Sequence, residues 1–289
     1  MRPETVRHLR TLLILGRVSN LPTVWTNCLA GWWLGGAGHG GRLPWLFLGV
    51  SFLYIGGMFL NDAFDVDFDR QRRMDRPIPA GRITPAKVWQ YGFGALGLGL
   101  LLLLATGWTT GLLGLVLALF ILLYDAVHKF VNASPWLMGA CRFWVYLVAA
   151  STAAGGVNGG AIYCGLAMAI YVVGLSYVAR RESFRARAPR WPFGLLAAPL
   201  VLAYFLNTGD YLRPARWIAL ILILWILFSS RNLLDKKGGN LGQIVTGLLA
   251  GITLVDWLAI APECSRGLSV VFPILLVVTR LAQRFIPAT

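Results

Sequence analysis

The sequence predicts an all-helical bundle that crosses a membrane many times, and three observations predict it. Of the 289 residues, 57% are hydrophobic and only 13% are charged, with a mean hydropathy of +0.66; soluble domains carry roughly a quarter charged residues. The apolar residues come in long blocks such as Val88–Trp108, Gly111–Tyr124 and Trp217–Ser230, each near the length of a membrane-crossing helix. Finally, the basic residues gather in alternate loops between these blocks, the asymmetry that membrane insertion selects. A soluble enzyme, a secreted disulfide scaffold and a disordered chain are excluded.

Ten apolar segments stand out, at 18–36, 44–61, 86–105, 110–124, 135–153, 159–178, 192–206, 215–230, 241–260 and 268–285. With the N-terminus in the cytoplasm, 21 of the 26 Lys and Arg residues fall on the inside, four fall outside, and Arg142 lies within the fifth segment. That division supports ten spans with both ends cytoplasmic in a bacterial-type membrane. The net charge of +14 is thereby explained by topology and anionic headgroups, and no nucleic-acid partner is implied. Residues Met1–Leu15 place basic residues before a short apolar run without a small-residue cleavage site, so this start reads as uncleaved. The four cysteines are widely spaced without a CxxC pair and read as small core residues.

The whole chain, 1–289, reads as one membrane domain. Aligning Gly57 with Gly174 brings Tyr54 onto Tyr171 and Asp65 onto Glu182, a hint of duplicated halves at about 18–134 and 135–260, followed by the extra span 268–285.

The most informative segment follows the second span. It reads Asn61-Asp62-Ala63-Phe64-Asp65-Val66-Asp67-Phe68-Asp69 and gathers four of the twelve acidic residues. If the helix continues through it, Asn61, Asp65 and Asp69 follow at i, i+4 and i+8 on one face with Asp62 beside them, while Asp67 points away. Several carboxylates on one face of a membrane helix repel each other unless a cation joins them. A solvated acidic loop is the bland alternative. Mg²⁺ suits the hard oxygen donors, since it uses one or two carboxylates and completes its shell with water and substrate phosphate; an EF-hand lacks its spacing and glycine here. The following Arg70-Gln71-Arg72-Arg73-Met74-Asp75-Arg76-Pro77-Ile78-Pro79-Ala80-Gly81-Arg82 adds guanidinium groups suited to phosphate oxygens and a turn fixed by proline and glycine.

The NDxxDxDxD run followed by RPxPxGR resembles the first signature of the UbiA superfamily of intramembrane prenyltransferases, and Tyr124-Asp125-Ala126-Val127-His128-Lys129 is similar to that family's Tyr…Lys stretch. The resemblance covers the chain to about residue 260 and implies a helical bundle with a central cavity that transfers a prenyl chain from an Mg²⁺-bound prenyl diphosphate to a lipophilic or aromatic acceptor. It implies Asn61, Asp62, Asp65 and Asp69 as the catalytic set, with Asn61, Asp65 and Asp69 as metal ligands and Arg76 and Lys129 on diphosphate oxygens. Family members typically have nine spans, so 268–285 would be an additional tenth.

The family's second aspartate-rich element is missing. In its place stand Arg180, Arg181 and Glu182. Arg181, or Arg180 in its stead, would neutralise diphosphate directly, with Glu182 ligating one Mg²⁺ or serving only as an ion-pair partner. This departure keeps two other readings open: a transferase using a phosphoribosyl diphosphate and polyprenyl phosphate, and a non-catalytic lipid carrier. Polar residues within the spans add Asn20, Asp125, Arg142 and Tyr146 as cavity candidates, with Asp125 and Lys129 spaced to pair with each other. Trp25, Trp144, Tyr146 and Tyr171 are candidates for a prenyl pocket, and His128 reads as structural or exposed.

Overall fold

Each of the ten apolar segments is helical in the computed structural model, which describes residues 3–38, 40–183, 191–206, 212–231, 241–262 and 264–288. An N-terminal helix α1 (Pro3–Leu15) leads through a short turn of 3₁₀ helix (Val18–Asn20) into α2 (Leu21–Leu34). Helices α3 (Leu43–Phe64), α4 (Val66–Arg72), α5 (Pro85–Thr106), α6 (Trp108–Val127), α7 (Ser134–Ser151) and α8 (Gly159–Ser183) follow. The remainder comprises α9 (Pro192–Leu195), α10 (Ala198–Leu206), α11 (Leu212–Ser230), α12 (Leu241–Ile260) and α13 (Arg266–Phe285). Among the described residues there is no strand. Among the described residues six helices are long and apolar enough to cross a membrane: α3, α5, α6, α8, α12 and α13.

Proline starts many of these helices. Pro22, Pro44, Pro85, Pro135 and Pro192 occupy the first turn of α2, α3, α5, α7 and α9, where the missing N–H has no intrahelical partner to lose. The seventh segment breaks for the complementary reason. Pro199 cannot donate to the carbonyl of Leu195, so 192–206 divides into α9 and α10 rather than forming one span.

Without a hydrophobic driving force between helices in lipid, close backbone approach must supply the cohesion. On α3 and α5 the approach is through glycine on both sides. A Cβ added at Gly56 would lie 2.9 Å from the Gly92 carbonyl oxygen, and one at Gly99 would lie 2.7 Å from that of Gly49. Gly31 of α2 similarly meets the Tyr146 carbonyl of α7. Among the described residues three apolar clusters result. One joins α2, α3, α5, α6 and α7 around Leu53, Leu103 and Val148; a second joins α8, α11 and α12 around Tyr171, Leu222 and Leu248; and a smaller one gathers Leu15, Phe59 and Val88 of α1, α3 and α5. Outward-facing residues such as Leu101, Leu119 and Val270 stay exposed, as lipid-facing positions should.

The additional segment, α13, packs against both α12 and α2. Its end is tied to the start of α2: Gln283 Nε2 donates to Asn20 Oδ1 at 3.2 Å, and Asn20 Nδ2 donates to the Ala288 carbonyl at 3.0 Å.

Candidate active site

The acidic segment keeps its helical register past the end of α3. Asp65 ends that helix with a small kink, yet the amide of Asp65 still bonds the Asn61 carbonyl, Asp69 the Asp65 carbonyl and Arg73 the Asp69 carbonyl. Asn61, Asp62, Asp65 and Asp69 are consequently all buried, whereas the Asp67 side chain is 93% exposed and meets only Arg70. The periodicity that separated Asp67 from the others is the one the fold adopts.

Cations from three elements meet the buried acids. Arg76, in the turn after α4, donates through one nitrogen to Asp62 Oδ1 at 2.9 Å and Asp69 Oδ2 at 3.0 Å. Arg17 reaches Asp62 Oδ1 at 3.3 Å and Asn61 Oδ1 at 3.4 Å. Its backbone is left-handed (φ 43°) at the junction of α1 and α2, a conformation that costs a non-glycine residue about 1–2 kcal/mol and here aims the side chain at the cluster. Lys129, just past α6, sits 2.9 Å from Asp65 Oδ2 and 4.0 Å from the centre of the Phe68 ring. Asn61 Nδ2 donates to Asp125 Oδ1 at 3.0 Å. Thus Asp125 and Lys129 do not pair with each other, as their spacing had suggested; each reaches across to α3 instead.

Burial raises the Asp65 carboxyl, but the adjacent His128 and Lys129 outweigh it and hold the group below the ordinary carboxylate value. Asp69 goes the other way: burial, opposed by Arg76 and reinforced by Asp65 and Asp62, lifts it. This is the electrostatic signature of an acidic cluster only partly neutralised.

The expected metal ligands Asn61, Asp65 and Asp69 lie along one buried face, and each has a protein partner here: Asp125 for Asn61, Lys129 for Asp65 and Arg76 for Asp69. The donor set nevertheless fits Mg²⁺. Among the described residues Asp69 Oδ1 and Asp125 Oδ2 are buried oxygens with no hydrogen-bond partner, and Asp65 Oδ1 has only the His128 ring nitrogen at 3.3 Å; such atoms are costly unless a cation or donor meets them.

These groups line a cavity of about 220 Å³, whose walls include Arg17, Asn61, Asp65, Arg76, His128 and Lys129 at one end and Val245, Leu249 and Ile252 of α12 opposite. Arg142 of α7, with Tyr54, Met58, Tyr124 and Met138, belongs both to this cavity and to a narrower apolar pocket of about 70 Å³ reaching Leu53, Leu117 and Val145. A polar mouth therefore opens onto an apolar interior. A larger groove of about 480 Å³, lined by Trp33, Asn158, Cys164 and Leu258, lies between α2, α8, α10 and α12 and has no charged side chain, so it cannot bind a polyanion by charge.

Several predicted residues fall elsewhere. Asn20 lines the cavity, but Tyr146 is fully buried and its hydroxyl donates to Asp256. Trp25 donates to Ser51, Trp144 packs on Phe120 and Phe143, and Tyr171 donates to the Leu248 carbonyl; the aromatic lining comes from Tyr54, Phe68 and Tyr124. His128 lines the site, with Nε2 3.3 Å from Asp65 Oδ1; its i, i+4 spacing from a stacked Tyr124 was the overlooked signal. Arg180 lines the cavity but gives one nitrogen to the Val131 and Asn132 carbonyls at 3.0 and 3.1 Å. The side chains of Arg181 and Glu182 lie outside the described residues.

Comparison with known proteins gives a consistent picture. A family model described as the UbiA prenyltransferase family matches residues 20–243. A digeranylgeranylglyceryl phosphate synthase of Pyrococcus horikoshii is 39% identical over 74 residues, 26% of this chain and 27% of that protein. A protoheme IX farnesyltransferase of Anaeromyxobacter dehalogenans is 28% identical over 178 residues, 55% of this chain and 56% of that protein. The chain thus spans between about a quarter and about half of the length of these curated relatives. In three dimensions it is similar to a UbiA homologue from Archaeoglobus fulgidus bound to GPP and Mg²⁺, with a TM-score of 0.51, 15% identity, and coverage of 96% of this chain and 97% of that one.

Proposed function

Since the chain belongs to the UbiA prenyltransferase family, we propose that it transfers a prenyl group from a prenyl diphosphate to a lipophilic or aromatic acceptor inside the membrane, in an Mg²⁺-dependent reaction. The observation that carries this reading is the junction of two environments in one cavity. At one end Asp65 lines the cavity, with buried Asp62 and Asp69 behind it and Arg17, Arg76 and Lys129 as their cations, and an apolar pocket adjoins the cavity. A prenyl diphosphate has the same division, a polyanionic head on an apolar tail.

In this reading Asn61, Asp65 and Asp69 hold Mg²⁺, with Asp62 beside them. Bound there, the ion supplies positive charge that stabilises the departing diphosphate. Arg76 and Lys129 would meet phosphate oxygens of the donor, and Arg17 would remain on Asp62 to hold the cluster in place. Donor charge and acid charge are then neutralised together, which lowers the barrier to breaking the allylic C–O bond. The bonding pair leaves with diphosphate, a nucleophilic atom of the acceptor forms the new bond to the prenyl carbon, and the acceptor's proton is released. Tyr54, Phe68 and Tyr124 supply the aromatic lining of the cavity. The 21 basic residues on one side of the ten-segment pattern put this mouth in the cytoplasm.

The test is donor binding and diphosphate release by the purified protein with geranyl diphosphate, with and without Mg²⁺, and with phosphoribosyl diphosphate in parallel. Asp65→Ala should abolish Mg²⁺-dependent binding of geranyl diphosphate, and Asp67→Ala should leave it nearly intact. Equal effects of the two substitutions, or a preference for phosphoribosyl diphosphate, would overturn the assignment.

A further inference from the structure

We propose that helix α1 and the turn carrying Arg82 form a site for the headgroup of an anionic phospholipid, apart from the active-site cavity. Helix α1 presents three different faces. Arg7, Arg10, Thr11 and Ile14 follow at i, i+3, i+4 and i+7 and line a groove of about 750 Å³ together with His8 and Arg82. Leu12 and Leu15, on a second face, pack with Phe59, Ile78 and Ile83. Val6 and Leu9, on the third, are 50% and 49% exposed.

Packing holds the two walls of this groove together. Gly81, at a φ of 70°, turns the chain, and the Arg82 amide bonds the Pro77 carbonyl at 3.0 Å. Ile78 and Ile83, before and after this turn, join the cluster that holds Leu12 and Leu15 of α1, which brings Arg82 to the basic face of that helix. Arg82 ends the basic run that follows the acids, yet it lines this groove and not the active-site cavity; among the described residues the two share no lining side chain. Three guanidinium groups therefore line one groove. Among the described residues Arg7, Arg10 and Arg82 form no ion pair, and no acid lines the groove. The Thr11 hydroxyl donates to the Arg7 carbonyl at 2.9 Å, so it offers no donor of its own. Like charges gathered in this way repel one another unless an anion joins them.

The neighbouring face selects the anion. A helix that carries exposed apolar residues beside a cationic face suits the membrane interface, with the apolar side among acyl chains and the arginines at headgroup level. The alternation of basic loops puts α1 on the cytoplasmic side, and α1 runs through Gly16 and Arg17 into the first apolar segment, which tethers it to the bilayer surface. Guanidinium groups match phosphate oxygens in charge and in bidentate geometry. A zwitterionic headgroup adds an ammonium that three arginines repel, whereas a phosphatidylglycerol headgroup adds only hydroxyls. Free phosphate would leave Val6 and Leu9 in water; a lipid satisfies the cationic and the apolar face at once.

The experiment titrates the full-length protein, in a neutral detergent, with phosphatidylglycerol and with phosphatidylcholine of the same acyl chains, and counts bound lipid by native mass spectrometry. Phosphatidylglycerol should bind about tenfold or more tightly than phosphatidylcholine. An arginine near a headgroup contributes about fivefold. The paired substitution Arg7→Gln with Arg10→Gln should therefore weaken phosphatidylglycerol binding about twentyfold, and Arg82→Gln alone about fivefold. Arg231→Gln removes an equal charge from the same side of the membrane at the end of α11 and should change nothing, which separates a local site from general attraction. If the paired variant does not fold, Arg82→Gln and the wild-type comparison decide. The proposal is overturned by equal binding of the two lipids, by a preference that survives the arginine substitutions, or by an equal loss with Arg231→Gln. Displacement of phosphatidylglycerol by millimolar inorganic phosphate at constant ionic strength would also overturn it, since the site would then take free phosphate.

Discussion

Arg76→Ala is the substitution whose consequence the structure determines most sharply. One nitrogen of Arg76 bridges Asp62 and Asp69, two side chains with 8% and 2% exposure. After its removal Asp62 keeps Arg17 at 3.3 Å, whereas Asp69 loses its one recorded ion pair. Stranding one partner of a buried pair costs about 3–5 kcal/mol. The chain has an escape, because Asp69 can take up a proton, and burial has already raised its carboxyl in that direction. Neutralising an ordinary aspartate at pH 7 costs about 4 kcal/mol, from roughly three pH units at 1.36 kcal/mol each, and at pH 5 only about 1.5 kcal/mol. The penalty should therefore be about 3–4 kcal/mol at pH 7 and no more than about 1.5 kcal/mol at pH 5. Unfolding in detergent micelles with EDTA at both pH values, against the wild type at each, measures it. Adding millimolar Mg²⁺ at pH 7 should restore part of the loss, since a divalent cation replaces the missing charge. A penalty equal at the two pH values, or none at pH 7, would show that Asp62 and Asp69 do not form a charged buried pair on Arg76.

Three further outcomes are expected. Lys129→Met removes one of the contacts that hold Asp65 below its ordinary value of about 3.9; the stability this carboxylate contributes is complete above that pH and lost as pH falls through the depressed native value, so acid unfolding should begin at higher pH in the variant. Gly99→Leu should destabilise the bundle by about 1–3 kcal/mol or prevent assembly, because even a Cβ there meets the Gly49 carbonyl at 2.7 Å; the yield of folded protein in detergent and its unfolding midpoint report it, and a wild-type-like midpoint would refute the close crossing of α3 and α5. Reporter fusions after residue 262 and after residue 289 should report opposite sides of the membrane, and the same side for both would remove α13 as a span.

What the sequence made legible and what it hid divide along one physical line: interactions local to a helix can be read from spacing, and interactions between helices cannot. The 3.6-residue period separated Asp67 from Asn61, Asp65 and Asp69, and the structure keeps that division because the i to i−4 bonds run through Asp65 despite the kink. The partners of the acids were a different matter. Nothing in the spacing of Asp125 and Lys129 says that they would turn from each other towards Asn61 and Asp65, since that depends on how closely α6 approaches α3, which Gly57 and its contact with Ile121 permit. The cations of the cluster were hidden by the same gap: a helical face places the carboxylates together, but Arg76 and Arg17 arrive from separate turns to bridge them. Asp256 is a further case. It lies 229 positions from Asn27, whose amide it holds while the Asn27 oxygen meets Arg142, and only the meeting of α12, α2 and α7 makes it the residue that orients the guanidinium of Arg142. The acids at the mouth belong to a motif readable in one stretch of chain, while the inner end of the cavity is assembled from three helices, so substrate selectivity should reside at the inner end, where no single segment of sequence carries it.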